Sequence, residues 1–133
     1  MRKIVFLATM AMLLVGCNKQ ESIEDRAARE AQTYTRRMCP EKLNEFTRLD
    51  SITFDRATLT VTQHLTLLGN ADNLEVATAK SDEIRKELVA GVKADTSNKL
   101  FKDHGFRYRF LARSESDSKI VLYDTTVTPE DYK

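Results

Sequence analysis

The side chains able to act as nucleophiles or metal ligands are few. Two cysteines, Cys17 and Cys39, and two histidines, His64 and His104, stand among twenty carboxylates. A thiol attacks as the thiolate, which needs a cation or base beside it. No His, Lys or Asp is spaced from Cys39 so as to predict that help. Neither histidine has a cysteine, a second histidine or a carboxylate cluster at ligand spacing, so both are expected on the surface and no metal site is expected. Asp50, Asp55, Asp124, Glu130 and Asp131 lie outside the apolar runs that would raise a carboxyl pKa for general-acid work. There is no glycine-rich phosphate loop, no exposed-serine elbow, and no zinc or calcium motif. The expectation is therefore no catalytic residue and no cofactor, and nothing in the sequence supports an enzyme.

Cys17 has a different context. Arg2 and Lys3 precede a run from Ile4 to Leu14 that is apolar except for Thr9. This charged start followed by an apolar stretch is the plan of an export signal. The stretch is too short to span a bilayer, which takes about 20 apolar residues. Leu14-Val15-Gly16-Cys17 closes it and resembles the lipobox of bacterial lipoprotein precursors. The resemblance implies a signal peptide over 1–16, a thioether-linked diacylglycerol on Cys17, and a polar tether over 17–23. An ordinary secretory signal is the alternative, but it prefers small residues before the cut, which Val15 and Gly16 meet only in part. Each lipid methylene contributes about 0.8 kcal/mol on entering a membrane, so two or three chains hold firmly where one does not. Asn18, where Asp would signal inner-membrane retention in enteric bacteria, leans towards the outer membrane.

With Cys17 taken by lipid, Cys39 has no intrachain partner. Burial, the commonest fate of a free cysteine, is expected. An intermolecular disulfide and a reactive thiol remain open.

Charge narrows the partners. The formal net charge is +1, and losing Arg2 and Lys3 with a leader shifts it two units negative. A near-neutral surface argues against nucleic acid, which calls for a basic stripe, and against electrostatic adhesion to anionic lipid. Arg107-Tyr108-Arg109 is a basic-aromatic triplet. On a strand, however, its tyrosine points opposite to both arginines, so stacking and phosphate contacts would fall on different faces.

The elements follow from periodicity. Ser22 is placed to cap a helix from near Ile23, and Ile23, Ala27, Ala31, Tyr34 and Met38 form its apolar stripe. Pro40 ends it at Cys39. A connector through Lys42-Leu43-Asn44 leads to a strand over 49–55, a turn over 55–58, and a second strand over 59–67, which together predict a hairpin. Asp72 or Asn73 caps a helix to about Ala94 with Ala77, Ile84, Leu88 and Val92 as its stripe. Gly91 inside it suggests close approach to the sheet. Further helical turns over 96–103 contribute Leu100 and Phe101 and close on Gly105. Strands over 106–113 and 119–127 flank the polar turn Ser114 to Ser118, and 128–132 is a final turn. The fold class is α+β: helix, β-hairpin, helix, β-hairpin, with an antiparallel sheet and its helices on one face. The other face carries Thr60, Thr62 and Thr66 with the arginines. Residues 24–133 form a single domain.

Several short stretches resemble a group of small uncharacterised lipoproteins of Bacteroides-type gut anaerobes. They are Cys39-Pro40, Thr47-Arg48-Leu49-Asp50-Ser51 with Phe54, Phe101-Lys102 with Gly105 and Tyr108, and Val127-Thr128-Pro129-Glu130-Asp131-Tyr132. The resemblance implies a cell-envelope location, a single domain and a structural Cys39, and supplies no activity. The expected function is a lipid-anchored binding or scaffold module for another envelope protein, a peptide or a glycan. Its partners are the membrane through the anchor and an unidentified envelope protein or ligand, not nucleic acid. The alternatives are an envelope enzyme or redox protein acting through Cys39, and a phage-exclusion or immunity lipoprotein.

Overall fold

The computed structural model describes residues 21–133. The predicted signal peptide and Cys17 lie outside the described residues, as does most of the predicted tether. Helix α1 spans Ile23–Met38. The Oγ of Ser22 accepts from the Asp25 amide at 3.0 Å, meeting one of the otherwise unsatisfied donors of the first turn. At the other end Cys39 is extended, with φ −91° and ψ 148°, as a residue before proline prefers.

The chain then forms β1 (Glu41–Asn44), β2 (Thr47–Asp55) and β3 (Thr60–Leu67). After a 3-10 turn at Gly69–Ala71 come α2 (Leu74–Ala79), α3 (Ser81–Ala94) and α4 (Lys99–Asp103). Strands β4 (Arg107–Ser114) and β5 (Val121–Val127) and a last turn of helix, α5 (Pro129–Tyr132), complete it. The five strands lie in sequence order in one sheet.

The α+β class stands, and four details differ from the sequence reading. The sheet is not wholly antiparallel: β3 pairs parallel with β4, Val61 against Tyr108 and Leu65 against Ala112. The segment between these strands is therefore a helical crossover, which parallel neighbours require. A fifth strand, β1, occupies the supposed connector. Leu59, expected to begin a strand, has φ +54° and belongs to the turn. The single helix over 72–94 is two, broken at Lys80, whose φ and ψ of −101° and 12° leave the helical region.

One cluster joins the buried residues of helices and sheet. Ala27, Ala77, Val92 and Phe101 from the helices meet Leu49, Leu65, Tyr108, Phe110, Ala112 and Val127 from the strands. Phe106 has no exposed surface and stacks between Phe101, with ring centroids 4.8 Å apart, and Phe54, 5.2 Å apart. Such pairs contribute about 0.5–1.5 kcal/mol beyond their buried area. Two helical expectations fail here. Leu100 is exposed while its neighbour Phe101 is buried. Gly91 is exposed and approaches nothing: a Cβ there would meet no atom within 4 Å.

Candidate functional site

The sheet face opposite the core cluster carries the polar residues that the sequence singled out. The Arg109 guanidinium donates twice to the Asp124 carboxylate, at 2.8 and 2.6 Å. This pairing holds the Asp124 carboxyl below its usual range. Arg48 Nε donates to Asp50 at 2.7 Å, and the Thr66 hydroxyl donates to the other Asp50 oxygen. His64 Nε2 lies 2.9 Å from Thr53 Oγ1. Burial, and then the Arg113 and Arg109 charges, push the His64 pKa down. Thr62 and Thr66, expected on a wet face, are buried. Both lie in the row with Arg109 and Arg113 across the β3–β4 pairing, where long arginine stems cover shorter neighbours. Arg48 and Arg109 are held by carboxylates, while Arg113 takes part in no ion pair among the described residues.

The remaining candidates stay apart. His104 sits at the end of α4, 3.4 Å from a Glu24 oxygen. Cys39 is a free, partly buried thiol packed against the core, not the fully buried residue expected. Its pKa is raised, by burial first and then by the negative charges of Glu41 and Asp50. That is the reverse of what a nucleophilic cysteine needs. Burial also drives the Tyr108 phenol well above its usual value, and its hydroxyl has no hydrogen-bond partner among the described residues. Among the described residues no group of three or more His, Cys, Asp or Glu could hold a metal ion, and no helix is long and apolar enough to cross a membrane.

What the sequence reading missed is an apolar groove at one pole. Phe46 stands in the β1–β2 turn, fixed by its amide donating to Asn44 Oδ1 at 2.8 Å and by the Leu68 amide donating to its carbonyl at 2.8 Å. Across from it α2 begins, capped by Asn73, whose Oδ1 accepts from the Val76 amide at 3.1 Å. Between them lies a groove of about 270 Å³ walled by Phe46, Leu67, Ala71, Val76 and Ile84, with Lys80 at its margin. Phe46 and Val76 remain 40% and 41% exposed, and Leu43 and Leu74 near them in sequence are 47% and 50% exposed. Large apolar side chains gathered on a surface mark an interaction site far more often than scattered ones do. No repeating pattern flagged Phe46, Leu74 or Val76, because two lie in or beside turns and the third sits next to the predicted stripe. The available signal was an aromatic residue in a turn otherwise made of polar ones.

The groove and the start of α1 lie at opposite ends of the sheet. Arg56, just after β2, pairs with Asp25 of α1 at 2.6 Å, which sets the start of α1 at that end. Phe46 precedes the other end of the same strand, roughly 30 Å away for nine residues at about 3.3 Å each.

A family model described as a domain of unknown function, DUF8479, matches residues 22–123. The chain belongs to that family. No curated protein matches it in sequence. The DUF8479 chain shares its fold with three solved structures. One is a Pseudomonas aeruginosa protein described as secreted, with a TM-score of 0.67 and 13% identity over 86% of this chain and 100% of that one. Another is the pilotin EpsS of the Vibrio vulnificus type 2 secretion system, with a TM-score of 0.62 and 18% identity over 83% and 91%. The third is the type II secretion system pilotin AspS of Vibrio cholerae, with a TM-score of 0.58 and 19% identity over 81% and 90%. At these identities the likeness is one of fold.

Proposed function

We propose that this protein is a lipid-anchored module of the bacterial cell envelope that docks another envelope protein through the Phe46–Val76 groove. The observation that carries the reading is the position of the groove. An anchor on Cys17 would be a few polar residues from Ser22, and so at the Arg56 end of the sheet. The apolar side chains at the Phe46 end then face away from the bilayer, where a protein rather than lipid can cover them. Phe46 and Val76 are already more than half buried, so covering what remains of each contributes about 1 kcal/mol, and Lys80 favours a partner with an acidic residue beside its apolar ones. The shared fold with two secretion-system pilotins and a secreted protein supports service in the envelope, and Asn18 favours the outer membrane over the inner.

Two measurements test this. Radiolabelled palmitate should enter the wild-type chain and not Cys17→Ala; equal labelling removes the anchor. Crosslinking in intact cells should yield one stoichiometric protein partner that is lost from Phe46→Asp and Val76→Asp. A wild-type chain that stays alone, or a partner retained by both variants, ends the docking role of the groove.

A further inference from the structure

Between α1 and the sheet lies a cavity of about 290 Å³, bounded on one side by the turn that joins α3 to α4. Ala27 and Ala31 of α1, Ile52 of β2, Val61 of β3 and Phe101 of α4 give it apolar walls. At about 30 Å³ for each water-sized group, it has room for roughly ten non-hydrogen atoms.

Two polar groups in these walls have no partner. Tyr108 enters the lining from β4 at only 7% exposure, and its buried hydroxyl makes no hydrogen bond among the described residues. The polar side chains that the α3–α4 turn adds to the lining are already committed. Ser97 Oγ and Asn98 Nδ2 both donate to the Asp95 carboxylate, at 2.6 and 2.7 Å. The second group is Gln63, which interrupts the row Val61, Leu65 and Leu67 that β3 turns towards the core. Gln63 lines the same cavity, and no side-chain hydrogen bond among the described residues involves its amide. Buried polar atoms are normally hydrogen-bonded, and a lone exception calls for a reason. Phenylalanine and leucine would fill these two positions without that cost.

Charge and protonation select the class of ligand. Glu30 is the one ionised side chain in the lining, and Arg26 holds it at 2.6 Å. The same Arg26 guanidinium lies 5.7 Å over the Phe101 ring. An anion would therefore meet a carboxylate and no free cation. Burial holds the Tyr108 phenol protonated, so its hydroxyl can donate.

We infer that this cavity binds a small uncharged molecule with an apolar body and a carbonyl oxygen, which accepts a hydrogen bond from the Tyr108 hydroxyl. The Gln63 amide serves a second polar atom on ligands that carry one. Apolar walls with a few placed polar groups are the usual make-up of a small-molecule site. The inference goes beyond protein docking at the Phe46–Val76 groove, whose lining shares no residue with this cavity.

The test titrates the isotope-labelled full chain in lipid nanodiscs with acetophenone and with isopropylbenzene, which matches its size and lacks the acceptor. Empty nanodiscs give the blank. Saturable shifts should concentrate at the Ile52 and Val61 methyls and at Tyr108. The carbonyl carbon of labelled acetophenone should move downfield on binding, as it does when a hydroxyl donates to the oxygen. Tyr108→Phe should weaken acetophenone about tenfold, abolish that carbonyl shift, and leave isopropylbenzene unchanged. Such a coupling between one hydroxyl and one carbonyl is not produced by altered packing alone. Absent saturation or shifts centred elsewhere overturn the proposal and leave the hydroxyl to water. Equal weakening of both probes by Tyr108→Phe also overturns it, by giving the residue a packing role only. Should the variant fail to fold, the carbonyl shift on the wild-type chain decides: its absence overturns the proposal. Phe46→Asp should bind acetophenone like wild type, so failure at the apolar groove and failure at this cavity read separately.

Discussion

Lys102 closes the C-terminus of a helix to which it does not belong. Its ammonium donates to the Val92 carbonyl at 2.7 Å and to the Asp95 carbonyl at 2.6 Å, where α3 has run out of amides to offer. The positive charge also meets the negative end of that helix's dipole. Lys102→Met keeps the apolar stem and removes the donors. It is expected to lower unfolding stability by about 1.5–3 kcal/mol, the range for hydrogen bonds to a charged group. Urea denaturation followed by circular dichroism checks this; an unchanged midpoint would remove Lys102 as the cap.

Phe106 is the most demanding position of the core. It has no exposed surface and stands between two aromatic rings. Phe106→Ala should cost about 3–5 kcal/mol through lost burial and the cavity left behind. A loss below about 1 kcal/mol in the same denaturation experiment would mean that the Phe54–Phe106–Phe101 stack does not hold the crossover on the sheet.

Gly91 offers the opposite sign. It is exposed within α3, has no positive φ, and would place a Cβ in open space. Gly91→Ala is expected to stabilise by about 0.5–1 kcal/mol, since alanine loses less backbone entropy in a helix. A rise in the melting temperature is the readout. A fall would restore the close approach that the sequence suggested.

His64 should leave a mark on the pH dependence. Its folded pKa lies below the ordinary 6.5 because burial and the neighbouring arginines disfavour the imidazolium. As pH falls from 7 through 6.5 the unfolded chain takes up this proton first, so stability drops. The contribution is complete above 6.5 and is lost as pH descends through the folded pKa. His64→Gln should flatten the stability profile between pH 7 and 5.5; an unaltered slope would assign it to other groups.

Cys39 should behave as a dull thiol. Burial and two nearby carboxylates hold its pKa up, so at pH 8 iodoacetamide should modify it several-fold more slowly in the folded chain than in urea. Peptide mass spectrometry reads the extent at Cys39 alone. Faster modification in the folded state would return the cysteine to the list of functional candidates.

The elements were legible wherever one local rule governed a segment. Ser22 and Pro40 bracketed α1, and Phe106, Tyr108 and Phe110 alternated into the core, although Leu111 on the opposite face of β4 is buried as well. What escaped was decided by distant contacts. The parallel register of β3 on β4 depends on where the crossover helices pack, and no residue of either strand announces it. The burial of Thr62 and Thr66 depends on arginines brought alongside by that pairing. The apolar groove escaped for a similar reason: Phe46 and Val76 lie far apart in sequence, and only the folded chain makes them neighbours.

The parallel join between β3 and β4 bears on how the molecule is made. A chain extending from its N-terminus completes β3 long before Arg107 and its successors exist to lie beside it. Until then the nascent half presents a bare row of amides and carbonyls with oily residues beneath. Shielding by a holdase, or delivery across a membrane before folding, would suit such a construction plan better than quick self-closure.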